Sequence, residues 1–167
     1  MSRLDSAIRR LSAQRACLDR AIALIAGRPG IALELGLGNG RTYDHLCEHL
    51  QGREIFVFER QVMAHPDCRP DDRHLILGDF HDSLPACRAR LAGQACLAHA
   101  DIGSGERAPT TALAAWLGPA LTPFLADGAV VVSDQALAAP GLEPLPLPDG
   151  VASGRYHMYR YAAGAAP

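Results

Sequence analysis

Three glycines at alternate positions, Gly36, Gly38 and Gly40, follow the apolar stretch Ile31–Leu35 and precede a helical pattern from about Thr42 to Leu50. A glycine-rich loop between a strand and a helix constrains a fold strongly. Residues without Cβ let the backbone turn tightly and let a ligand approach the main chain. The spacing excludes two common phosphate-binding loops. The dinucleotide fingerprint Gly-x-Gly-x-x-Gly/Ala would need a small residue where Arg41 stands, and no Gly-Lys-Ser/Thr follows for a P-loop. A purely structural turn remains the plain alternative.

The rest of the chain alternates strand and helix patterns. Ile55–Phe58, Leu75–Leu77, Ala95–Ala100 and Ala129–Val132 read as further strands. A helix capped by Asp82 or Ser83, with Pro85 in its first turn, is expected to reach Leu91, and another spans Thr110–Leu117, limited by Pro119 and Pro123. Such alternation argues for a parallel sheet covered by helices on both faces. The end differs. Residues 142–148 are proline-rich and suit an edge strand or an extended loop, and Arg155–Tyr161 alternates in the manner of a closing antiparallel hairpin.

Residues 2–26 form a long helical pattern, opened by Ser2 and Asp5 as a capping box. Its apolar residues lie on a narrow stripe interrupted by Arg15, so the segment 1–28 packs on its own domain or on a partner chain. No linker divides the 167 residues, and one domain is expected. The net charge of −2 offers no basic footprint for nucleic acid. All 16 basic residues are arginine, which, with the Ala, Gly and Pro richness, reads as coding-sequence base composition. Five scattered cysteines without a CxxC pair, no signal peptide and no long apolar span point to the cytoplasm.

Other polar residues stand at successive strand ends, where an open α/β sheet forms its ligand crevice. Glu59 closes the second strand and can accept both hydroxyls of a ribose. Gly78-Asp79-Phe80 follows the third: Asp79 can accept from an adenine amino group or cap a helix, and Phe80 can pack on the ring. His99-Ala-Asp101 ends the fourth strand and Ser133-Asp134-Gln135 the fifth. His99 is a candidate general base or a buried structural histidine, and Tyr43 and His45 are placed where they can face the cleft.

The order Glu34-Leu-Gly36-Leu-Gly38-Asn-Gly40, then Glu59, Gly78-Asp79 and Asp101, resembles the class I S-adenosylmethionine-dependent methyltransferases over roughly residues 30–135. The resemblance implies a Rossmann-like, doubly wound seven-stranded sheet, order 3-2-1-4-5-7-6, with an antiparallel C-terminal strand. It implies S-adenosyl-L-methionine as cofactor, with Glu34, Gly36, Gly38, Gly40, Glu59, Asp79, Phe80 and Asp101 around it. Asp101 and His99 are the candidates on the acceptor side. Asp101, Asp134 and Gln135 are similar to the divalent-metal site of catechol O-methyltransferase-like enzymes, with Gln in place of Asn. The reading preferred to a metal has Asp101 hold the cofactor's amino group and Asp134 cap the next loop. The expected activity is methyl transfer to a small-molecule acceptor by a homo-oligomer, without nucleic acid or membrane as partner. A cofactor-binding protein without transfer activity is the alternative, and a nucleotide-dependent oxidoreductase fits less well.

Overall fold

The computed structural model describes residues 2–164. Seven strands form one sheet: β1 (Ile31–Leu35), β2 (Ile55–Glu59), β3 (Leu75–Leu77), β4 (Ala95–Ala100), β5 (Leu125–Ser133), β6 (Leu142–Pro144) and β7 (His157–Tyr161). Their order is β3-β2-β1-β4-β5-β7-β6, the expected one. β1 to β5 pair in parallel, while β7 runs antiparallel to both β5 and β6. Proline-rich β6 lies at the edge, where a missing N–H costs no central ladder bond.

Period-two alternation divides the core into two layers. Leu33, Leu35, Phe58, Ala98 and Val131 face helices α3 (Phe80–Leu91) and α4 (Arg107–Leu121). Ala32, Val57, Leu97, Val130 and Val132 face α1 (Arg3–Leu24) and α2 (Arg41–His49). Helix α1 opens with the expected capping box: the Ser2 hydroxyl accepts from the Asp5 amide at 3.0 Å, and the Asp5 carboxylate accepts from the Ser2 amide at 3.1 Å. The C-terminal half of α1 buries Ala13, Gln14, Cys17, Leu18 and Ala21 on this domain, while Leu4 and Ile8 stay exposed.

Three boundaries differ from expectation. Helix α3 starts at Phe80 because Asp79, not Asp82 or Ser83, accepts from the His81 amide, so Pro85 lies inside the helix beyond its first turn. Helix α4 runs through Pro119 to Leu121; Leu117 and Leu121 are fully buried, and that burial offsets the missing amide bond. Strand β5 begins at Leu125, ahead of the valine run, and passes Gly128 at φ +72°.

Candidate functional site

The carboxyl ends of β1 to β4 frame a cleft of about 440 Å³, within the usual size of a small-molecule site. Gly36, Gly38, Glu59, Asp79, Phe80 and Asp101 all line it. A second cavity of about 460 Å³ lies away from these residues, around Ile25, Arg28, His49 and Arg53, and contains none of the strand-end groups.

The three glycines serve three different purposes. All have positive φ, at +92°, +52° and +83° for Gly36, Gly38 and Gly40. A Cβ on Gly36 would fall 2.4 Å from the Asp101 carbonyl oxygen, so this glycine lets the ends of β1 and β4 meet. A Cβ on Gly40 would fall 2.2 Å from the Cys68 carbonyl oxygen, so it seats the 66–68 turn against α2. A Cβ on Gly38 would meet no protein atom within 4 Å. Gly38 therefore faces open space at the cleft, and the protein's own packing does not demand a small residue there.

Glu59 is bound more tightly than the sequence suggests. One carboxylate oxygen accepts from the amides of Leu37 (2.8 Å) and Gly38 (3.0 Å), and the other from Arg60 (2.7 Å) and Gln61 (3.2 Å). These four donors match the acceptor sites of an ionised carboxylate. Glu59 thus ties the glycine loop to the end of β2, and a ribose in the cleft would compete with those amides. Asp79 caps α3 through one oxygen, which receives both the His81 amide at 2.9 Å and the His81 ring Nδ1 at 2.8 Å. These bonds hold its pKa below the ordinary carboxylate value. Phe80 is half-buried and packs against the α3–α4 layer.

Three of the candidates around the cofactor and acceptor, Gly40, Glu34 and His99, do not line the cleft. Glu34 and His99 are fully buried and stand opposite each other in the β1–β4 register, on the face under α1 and α2. His99 Nδ1 donates to Glu34 at 2.8 Å, and the Thr42 hydroxyl donates to the other Glu34 oxygen. His99 Nε2 lies 3.0 Å from the Tyr156 hydroxyl. With both ring nitrogens engaged and no surface exposed, His99 is not placed to take a proton from an acceptor. Glu34 likewise has no exposed surface, and both its oxygens are engaged inside the core. Burial acts to lower the His99 pKa, but the Glu34 charge and hydrogen bond, with Asp101 and Asp134 beyond, outweigh it, and the net direction is up.

The buried chain continues outward to the cleft. The side-chain amide of Gln14 on α1 donates to the Tyr156 hydroxyl at 2.8 Å and to the Asp101 carboxylate at 2.9 Å. Arg10, one turn earlier on α1, lies 3.5 Å from the same Asp101 oxygen. Asp101 therefore sits between the cleft and a small polar recess formed by Arg10, Gln14, Asn39 and Arg41. Gln14 and Tyr156 were missed as partners of this site. The available signal was a glutamine on the buried stripe of an amphipathic helix, where a polar group requires a partner.

Asp134 holds a loop, but the one after β4 rather than the expected one that follows β5. Its oxygens accept from the amides of Ile102 and Gly103, each at 3.0 Å, and from the Gln135 side chain at 2.9 Å. Burial raises its pKa against those bonds. The groups compared with a metal site are thus committed to N–H partners, Asp134 to the loop and Asp101 to Gln14. Tyr43 and His45 also leave the cleft: Tyr43 packs in the α1–α2 layer, and His45 Nε2 lies 2.7 Å from Asp19 on α1.

A family profile described as S-adenosyl-L-methionine methyltransferase matches residues 1–161. An S-adenosyl-L-methionine methyltransferase structure from Silicibacter pomeroyi DSS-3 is 50% identical, with a TM-score of 0.90 over 96% of this chain and 99% of that one. Human methyltransferase-like protein 13, solved with SAH, is 13% identical at a TM-score of 0.56, over 95% of this chain and 80% of that one. The rRNA methyltransferase aviRa from Streptomyces viridochromogenes is 14% identical at 0.56, over 89% of this chain and 84% of that one. These last two share the fold. No curated protein matches the chain.

Proposed function

The chain belongs to the S-adenosyl-L-methionine methyltransferase family, and from that premise we propose that the cleft at the ends of β1 to β4 binds the cofactor and that a small molecule accepts its methyl group. The observation that carries the reading is Gly38: its positive φ and the open space before its α-carbon let a ligand approach the loop closely, although its amide is bonded to Glu59. Around it, Gly36, Glu59, Asp79, Phe80 and Asp101 suit an adenosine-containing molecule: carboxylates for hydroxyls and amines, and an aromatic face for a base. Bound there, S-adenosyl-L-methionine supplies an already activated methyl group on a sulfonium.

The protein's own task is alignment. Helix α1 holds Asp101 through Gln14 and Arg10, so the carboxylate stands fixed at the edge of the cleft. Asp101 is the candidate to orient a positively charged or N–H-bearing group there, and to receive a proton from an acceptor that retains one. The buried Glu34–His99–Tyr156 chain keeps Gln14 in place.

A net charge of −2, without a basic footprint, supports a small acceptor over nucleic acid. Five unpaired cysteines support a reducing cytoplasm. Among the described residues no helix is long and apolar enough to cross a membrane. One sheet with continuous core layers supports a single domain, and exposed Leu4 and Ile8 support a homo-oligomer through α1. Parallel calorimetric titrations with S-adenosyl-L-methionine, S-adenosylhomocysteine and NAD test the cleft. The first two are expected to bind wild type and to fail with Gly38→Val. Retained binding by that variant would refute the site.

A further inference from the structure

Helices α1 and α2 bring together three side chains capable of ligating a metal, none of which lines the cleft. Asp19 comes from α1, and His45 and His49 from α2. One ligand atom from each lies within 4.8 Å of the others. His45 and His49 are four residues apart, the helical spacing that places two imidazoles on one face, and their ring centroids are 4.2 Å apart. His49 Nδ1 lies 2.8 Å from its own helix's His45 carbonyl oxygen. That bond keeps the proton on Nδ1 and leaves the Nε2 lone pair outward, the arrangement by which metal-ligating histidines are usually oriented. His45 Nε2 points at Asp19, at 2.7 Å.

We propose that Asp19, His45 and His49 form a divalent transition-metal site, of zinc type, that fastens α1 to α2. Two imidazoles and one carboxylate suit zinc, cobalt or nickel better than magnesium or calcium, which prefer all-oxygen sets. Tetrahedral bonds of about 2.0–2.2 Å put neighbouring ligand atoms about 3.4 Å apart. The 2.7 Å His45–Asp19 pair opens slightly to reach that spacing, and exposed His49 swings inward. The ion takes the place of the proton shared by His45 Nε2 and Asp19. In the neutral ring that proton moves to Nδ1, so none is released. Water completes the coordination. Cys47 lies two residues from each histidine, on another face of α2, and stays outside the set.

The site's position gives it a consequence. Helix α2 begins directly after Gly40, and α1 carries Arg10 and Gln14 to Asp101. A clamp between the two helices therefore stiffens the α1 side of the cleft. The site itself stands independently of the methyltransferase reading.

The test uses the full chain, stripped with EDTA and titrated at pH 7.5 with zinc by calorimetry and with cobalt by visible spectroscopy. Wild type is expected to bind one equivalent and to gain thermal stability. His45→Ala and His49→Ala are each expected to weaken binding about tenfold or more and to lose the stability gain, with unchanged circular dichroism. Cys47→Ser is expected to behave as wild type. Absence of zinc binding by wild type, wild-type affinity in both histidine variants, or a cobalt–thiolate charge-transfer band would each overturn the site.

Discussion

Replacing Tyr156 with Phe isolates the buried chain from packing, because the ring stays and only the hydroxyl leaves. Tyr156 has no exposed surface, and its oxygen serves both Gln14 (2.8 Å) and His99 (3.0 Å). Two hydrogen bonds vanish, each worth about 1 kcal/mol net. The larger cost is what remains. One N–H of Gln14 and the Nε2 of His99 stay buried without partners, at about 1–3 kcal/mol for each orphaned group. Relaxation recovers part of this, so the expected loss is about 3 kcal/mol. For a chain of this size that lowers Tm by about 6–12 °C. Urea unfolding is the primary assay, with an unchanged m-value showing that the unfolded state is not responsible. A cycle with Gln14→Leu adds a second readout: the pair should lose clearly less than the sum of the single losses, because both remove the same bond. Gln14→Leu should also weaken S-adenosylhomocysteine binding, since Asp101 loses its anchor. A loss below about 1 kcal/mol in Tyr156→Phe, with strictly additive effects, would show that the chain is not coupled in solution.

Gly38 and Gly40 should separate binding from folding. Gly38→Ala should cost about 1–2 kcal/mol for its left-handed backbone and abolish measurable cofactor binding, whereas Gly40→Ala should unfold much of the protein by collision with the Cys68 carbonyl. Glu59→Ala removes a charged acceptor, worth about 1.5–3 kcal/mol per bond, so the calorimetric affinity for S-adenosyl-L-methionine should fall about 10- to 100-fold. The raised pKa of His99 makes its contribution to stability complete below the unfolded value of about 6.5 and lost as pH rises through the folded value, so unfolding free energy should decline with increasing pH. His99→Gln should flatten that profile; an equal slope in the variant would assign the effect elsewhere. Sedimentation should show an oligomer that Leu4→Asp with Ile8→Asp dissociates; a monomeric wild type would refute it.

Much of the molecule is legible from local signals alone. Strand and helix periods, the capping box at Ser2 and the glycines before α2 are short-range features, since a backbone φ or a two-residue alternation depends on immediate neighbours. The strand-end residues follow from topology, because parallel strands all deliver their carboxyl ends to one edge. Glu59, Asp79 and Asp101 therefore meet at one cleft although far apart in sequence. Lateral register and helix placement set everything else. Only the pairing of β1 with β4 puts His99 beside Glu34 and turns a candidate base into a buried structural partner. Only the docking of α1 shows that Gln14 is buried and that its partner is Tyr156, more than a hundred residues away. Likewise, strength of capping decided between Asp79 and Asp82, since the side chain that reached the first free amide started the helix. Pattern determines which face of an element is buried; the partner each polar group finds there depends on distances that exist only once the layers close.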